Sequence, residues 1–239
     1  TDIHLYGNQV SDLTPLAQLT QLRNLNLNLN EVTDVGPLEN LTSLRELHLC
    51  CSNGNITNVQ PLEGLVNIVG LNLSVHHLGD AVLWPLLENY PNLLRLWIGE
   101  NDLTDLSPLA NHPNLQVLQI STAQITDLTP VAALDDLYEL QLQWSTVSDI
   151  TPLYTMTGLT FLNIRGLNLG DVAFLEEFEE LWWLDIGNNG LTSLAPLVAN
   201  PGIGAGDFVD ARENSFDLTD AAVQADIQAL IDRGVDLLY

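Results

Sequence analysis

The chain has 239 residues, 46% of them hydrophobic, and sets 31 acidic residues against six arginines and no lysine, for a formal charge of −25. That balance argues against nucleic acid and anionic membrane surfaces as partners, because phosphate binding needs clustered positive charge. The longest apolar run, Ala81 to Leu87, is broken by Pro85 and too short to span a bilayer.

The acid excess is spread along the whole chain, which fits solvation or a salty surrounding better than one basic partner. The first residues already sit in a recurring pattern: Ile3, Leu5, Asn8, Val10 and Pro15 occupy its positions, so the sequence is expected to be a mature or trimmed piece. From Leu22 the pattern LxxLxLxxN, then hydrophobic-Thr-Asp-hydrophobic-x-Pro-Leu, reopens at Leu44, Ile68, Leu93, Leu115, Leu137, Leu159 and Leu181, at intervals of 22 to 25 residues. A fixed period in this range means stacked units that bury apolar faces only against one another. Function is therefore to be sought on a surface.

Counting from the first leucine of each repeat, positions 1, 4 and 6 are apolar and positions 3, 5 and 7 alternate outward. This is the signature of one short strand per repeat, and identical connections make the strands parallel. Asparagine at position 9 (Asn8, Asn30, Asn101, Asn189, Asn214) is expected to bond the backbone of neighbouring turns. It is lost at His76, Ala123, Ser145 and Leu167, which predicts a patchy ladder there. Thr-Pro and Ser-Pro pairs (Thr14-Pro15, Ser107-Pro108, Thr129-Pro130, Thr151-Pro152) read as helix N-cap followed by N1 in a thin, 3₁₀-like outer layer. Aspartates at position 13, such as Asp12, Asp105, Asp127 and Asp149, read as turn formers rather than a calcium ladder.

Two repeats are irregular. The one from Leu44 carries an insertion at Cys51–Asn55, and Asp80 to Leu87 is expected to form a longer true helix. Around the insertion, Cys50, Cys51, His76 and His77 carry thiol and imidazole groups that suit zinc or copper(I), although their spacing matches no metal motif. No metal or other cofactor is therefore expected, and a vicinal disulfide is the competing fate of the cysteines. Asn40, Asn55 and Asn72 open glycosylation sequons, relevant only in a glycosylating host.

At the far end, Val209, Ala211, Asn214 and Phe216 hold positions of a degenerate last repeat. A helix is expected from Thr219 with Val223, Ile227, Leu230 and Ile231 on one face, closed by Gly234 and followed by an edge strand in Val235-Asp236-Leu237-Leu238. The organisation is thus residues 1–216 as solenoid, about ten repeats, and residues 217–239 as C-terminal cap.

The Thr-Asp-Leu-x-Pro-Leu element (Thr104 to Leu109, and Thr126 to Val131 with valine last) resembles the leucine-rich repeat superfamily, in the 22-residue class of internalins and related phosphatase-regulating proteins. The resemblance covers residues 1 to 216. It implies an α/β right-handed solenoid with a curved parallel β-sheet on the concave face, short 3₁₀ or helical convex segments and a C-terminal capping helix. It also implies protein recognition through that sheet. The internalin N-terminal cap and immunoglobulin-like module have no counterpart in these residues.

The outward positions give a neutral, amide-rich strip with aromatics from Trp97 onward. Solvent-facing Trp and Arg dominate interface energies, so Arg95, Trp97, Gln141, Trp144, Phe161, Arg165 and Trp183 form the predicted partner-binding patch; the competing reading is plain cross-strand packing of the aromatics. No nucleophile elbow, phosphate loop or zinc-protease motif appears. Glu139 and Asp185 stand two repeats apart, too far for a glycosidase pair. The expected function is a non-catalytic scaffold binding another protein through the concave face, with glycan binding or adhesion as the alternative. An extracellular or cell-surface location is favoured over a cytoplasmic one.

Overall fold

Alternation within each coil drives the strand. Leu25, Leu47, Leu71, Leu96, Leu118, Leu140, Leu162 and Leu184 at position 4 are at most 1% exposed, while most of the residues on either side of them stay half-exposed. Each such leucine is stabilised by about 1.5–3 kcal/mol relative to exposure. The computed structural model describes residues 1–52, 54–147 and 149–239; the insertion at Cys51–Asn55 includes Asn53, which lies outside them.

Among the described residues, eleven strands of three residues follow one another in chain order through a single parallel sheet. They are β1 (Asp2–His4), β2 (Asn24–Asn26), β3 (Glu46–His48), β4 (Gly70–Asn72), β5 (Arg95–Trp97), β6 (Val117–Gln119), β7 (Glu139–Gln141), β8 (Phe161–Asn163), β9 (Trp183–Asp185), β10 (Phe208–Asp210) and β11 (Asp236–Leu238). Register is strict: Asn72, Trp97, Gln119 and Gln141 face one another in succession. One continuous apolar core runs the length of the stack. Every coil turns off the sheet at position 8 in the left-handed region, where the non-glycine residues, Trp144 among them, have φ between 51° and 69°.

Below that turn, buried asparagines satisfy several backbone groups at once. Asn189 donates to the carbonyls of Ile164 and Ile186 at 2.9 and 3.0 Å and accepts from the N–H of Leu167 at 3.0 Å. Two of the four predicted gaps, at His76 and Ser145, are filled by other side chains, while Ala123 and Leu167 leave the ladder interrupted. His76 bonds the Leu49 carbonyl through Nε2 at 2.8 Å and accepts from Ile56 N–H at Nδ1, and Ser145 donates to Ile120 while accepting from Ala123.

The convex layer corrects the capping assignment. Thr14, Ser107, Thr129 and Thr151 are the first residues of their helical segments, and the N-cap positions are Leu13, Leu106, Leu128 and Ile150. The position-13 aspartates act instead: Asp12, Asp105, Asp127 and Asp149 each accept from the N–H two residues on, at 2.8 to 2.9 Å. Hydrogen bonds from the Thr14 and Thr129 side chains, then these backbone bonds, hold the carboxyls of Asp12 and Asp127 below the usual range; for Asp149 the Thr151 backbone leads and its side chain adds. The longer helix, α1, spans Asp80–Leu87 as expected, and two short ones follow, α2 (Thr129–Ala132) and α3 (Ala195–Ala199).

The terminal helix α4 is Ala221–Asp232, capped by Asp220, whose side chain accepts from Ala222 N–H at 2.7 Å. The predicted start at Thr219 fails because Asp217 holds that residue in a separate turn. Val223, Ile227 and Leu230 face the core, but Ile231 is 44% exposed. Gly234, at φ 86°, ends the helix and β11 pairs with β10, so this segment shares the core of the repeats.

Candidate functional site

Strand pairing places the predicted patch on one face of the sheet, where it divides into two groups. In the first, the Glu46 carboxylate of β3 lies over the side-chain-free Gly70 of β4 and meets Arg95 on β5, two strands away. Trp97 packs its ring 5.5 Å from His48, itself 3.8 Å from Glu46. Burial pushes the His48 pKa down, against the opposing pull of Glu46.

The second group lies over β7 to β10. Phe161 and Trp183 stack with centroids 4.0 Å apart and planes 1° from parallel, and Phe208 continues the stack at 5.6 Å. These two rings do pack across neighbouring strands, and their edges remain half-exposed. Beside the stack, Arg165 sits with Nη1 3.5 Å from Asp185 and 3.7 Å from Asp210, and Nη2 2.7 Å from Glu213. Its guanidinium is 5.9 Å from the Trp144 ring, which is 47% exposed. Gln141 donates to Glu139 at 2.7 Å.

Asp185 and Asp210 are nearly buried, at 8% and 5% exposure, yet titrate apart. Burial and the neighbouring Asp210 charge raise Asp185, with Gly187 N–H and Arg165 opposing. Hydrogen bonds from Arg212, at 2.9 Å from Nε, hold Asp210 low. Phe208, Asp210, Arg212 and Glu213 were missed as site residues. Their signal was present, since extending the position 3, 5 and 7 columns one coil past Asp185 names the first three.

The proposed metal ligands are not brought together. Cys50 and Cys51 are joined in a disulfide, so neither offers a thiolate. Both ring nitrogens of His76 serve the backbone, as above, and burial lowers its pKa. His77 points to exposed Asp102, 3.5 Å away. Among the described residues no three His, Cys, Asp or Glu side chains cluster as a metal site.

Residues 20–65 and 91–133 match the family described as leucine rich repeats (2 copies). No curated protein matches the sequence. Among solved structures, internalin C2 (inlC2) of Listeria monocytogenes is 35% identical over 68% of this chain and 70% of that one, with a TM-score of 0.60. The chain belongs to the internalin-like leucine-rich repeat family. A second internalin of that organism (inlF) is 27% identical across 98% of this internalin-like chain and 78% of its own, with a TM-score of 0.58. The Arabidopsis receptor kinase HAESA, solved with the peptide hormone IDA and the co-receptor SERK1, shares the fold at 24% identity and a TM-score of 0.63, over 83% of this chain and 35% of that one.

Proposed function

We propose that this internalin-like chain is a non-catalytic scaffold that binds another protein across its concave strip, with residues 217–239 as a cap on the 1–216 solenoid. The observation that carries the reading is the second group. A rigid aromatic ridge, Phe161, Trp183 and Phe208, stands beside a pinned guanidinium and the exposed indole of Trp144 on an open sheet. Rings already stacked lose little side-chain entropy on binding, and Trp and Arg are the usual anchors of interfaces. Arg95 and Trp97 supply a second contact area. Protein is favoured over glycan because Phe161 and Trp183 cover each other's faces, leaving edges rather than the open ring faces on which a sugar stacks.

The test immobilises the wild type and the Trp183→Ala/Arg165→Ala variant and compares what each retains from a biological extract, with a glycan array beside it. Retention of a protein by the wild type and its loss in the variant supports the reading. Equal retention by both, or binding confined to glycans, refutes it.

A further inference from the structure

Away from the concave strip, the flank where the chain enters each strand carries a patterned column at position 2. Successive backbone hydrogen bonds align it, for example Arg45 N–H to Arg23, Thr160 N–H to Tyr138 and Trp182 N–H to Thr160. The first half carries Arg23, Arg45, Val69 and Leu94. Gln116 stands in the middle, and Tyr138, Thr160, Trp182 and Asp207 follow.

Each half has an unmet partner. Arg23 and Arg45 are exposed and form no ion pair among the described residues, in a chain of charge −25. Tyr138 and Trp182 are 42% and 53% exposed, Trp182 touching Phe161 only edge-on with centroids 6.1 Å apart. A groove of about 470 Å³, lined by Arg45, Asn67, Val69, Asn92, Leu94 and Asn114, opens on the basic half of the same flank.

We propose that this flank is a self-complementary surface that docks a second copy of the chain, antiparallel, about a two-fold axis at Gln116. A two-fold interface pairs each residue with its mirror position along the column. Arg23 then faces Asp207, Arg45 faces Trp182, Leu94 faces Tyr138 and Gln116 faces itself. The exposed aromatics of one copy enter the groove of the other, with Arg45 over the Trp182 indole. Outer carboxylates also meet neutral or basic partners: Asp136 faces Asn92, and Glu180 faces Ser43 with Arg45 diagonal to it, two residues on. The operator reverses chain direction but preserves the concave side, so the two arcs match in curvature and both concave strips open the same way, giving a bivalent scaffold. The proposal is independent of what the concave strip binds.

Nine coils at about 4.8 Å give a strip of about 38 Å, a modest interface beside the roughly 800 Å² per partner of stable complexes. Net repulsion opposes association at low salt and is screened beyond about 8 Å at about 0.15 M. The experiment is sedimentation equilibrium of the whole chain at that salt, up to about 100 µM, with wild type, Trp182→Ala, Arg45→Glu, and Arg45→Glu combined with Glu180→Arg. Circular dichroism checks the fold of each.

The wild-type mass is expected to rise with concentration toward twice 26.2 kDa. Each single variant should weaken association at least about tenfold, as loss of a hot-spot contact does. The charge-swapped double variant should recover association lost in Arg45→Glu. A wild type that stays at 26.2 kDa throughout, or a dimer indifferent to all three variants, overturns the proposal.

Discussion

Arg165 and Glu213 lie two coils apart and meet at 2.7 Å, because Arg165 crosses the intervening coil over Gly187. A methyl group at 187 would collide with Nη1 of Arg165 and stand 3.0 Å from the backbone carbonyl of Arg212. The glycine therefore decides where the guanidinium rests. Gly187→Ala is expected to displace Arg165, lower stability by about 1–3 kcal/mol through overpacking, and change the Trp144 emission. Urea denaturation followed by fluorescence reads both; an unmoved midpoint with unmoved emission would mean that the crossing contributes nothing.

Asn189 is fully buried and bonds backbone groups of two coils. Asn189→Ala leaves the Ile164 carbonyl and the Leu167 N–H without their partner, each costing about 1–3 kcal/mol, while Ile186 keeps its bond from Asn214, so a loss of several kcal/mol is expected. Exposed Asn8, which donates only to carbonyls of its own coil, should tolerate the same change with a far smaller loss. Comparable losses at the two positions, by chemical denaturation, would remove the ladder's special weight.

Much of this was legible in the period. Which leucines face inward, which columns face outward and where α1 breaks the pattern all follow from spacing, since a strand side chain's direction is fixed by parity. What a long side chain does after leaving the sheet is not so fixed. Arg165 and Glu46 pass over glycines to partners two coils away, and Phe161 lies flat on Trp183, so Arg95, Phe161, Arg165 and Trp183 are tied to Glu46, which stood in the outward columns but outside the predicted patch, and to Phe208, Asp210 and Glu213, which lay beyond them. The Thr-Pro assignment failed for a related reason. The carboxylate two residues upstream takes the threonine's own N–H and sets the turn one residue earlier, which propensity at the Thr does not show.

Burial lowers the pKa of His48, His76 and His112 below the ordinary 6.5. The folded state therefore binds fewer protons than the unfolded one. The stability that these groups leave intact above pH 6.5 is lost as pH falls below it. His112 is the sharpest case: it is buried, its Nδ1 has no hydrogen-bond partner among the described residues, and Leu134 fills the matching place one coil on. Denaturation at neutral and mildly acidic pH should show His112→Leu more stable than wild type, by a margin that widens in acid. A constant margin across that range would exonerate His112.

With Cys50 and Cys51 joined, thiol titration of the unfolded, unreduced protein should find no reactive thiol, and reduction should release both. Two thiols without reduction would restore the cysteines as possible metal ligands.

The most direct measurement replaces Trp183, Gln141 or the convex Tyr154 in turn with a photo-crosslinking residue and maps which position captures the bound protein. Crosslinks from 183 and 141, with none from 154, are the predicted result. Capture from 154 alone would contradict recognition through the concave strip.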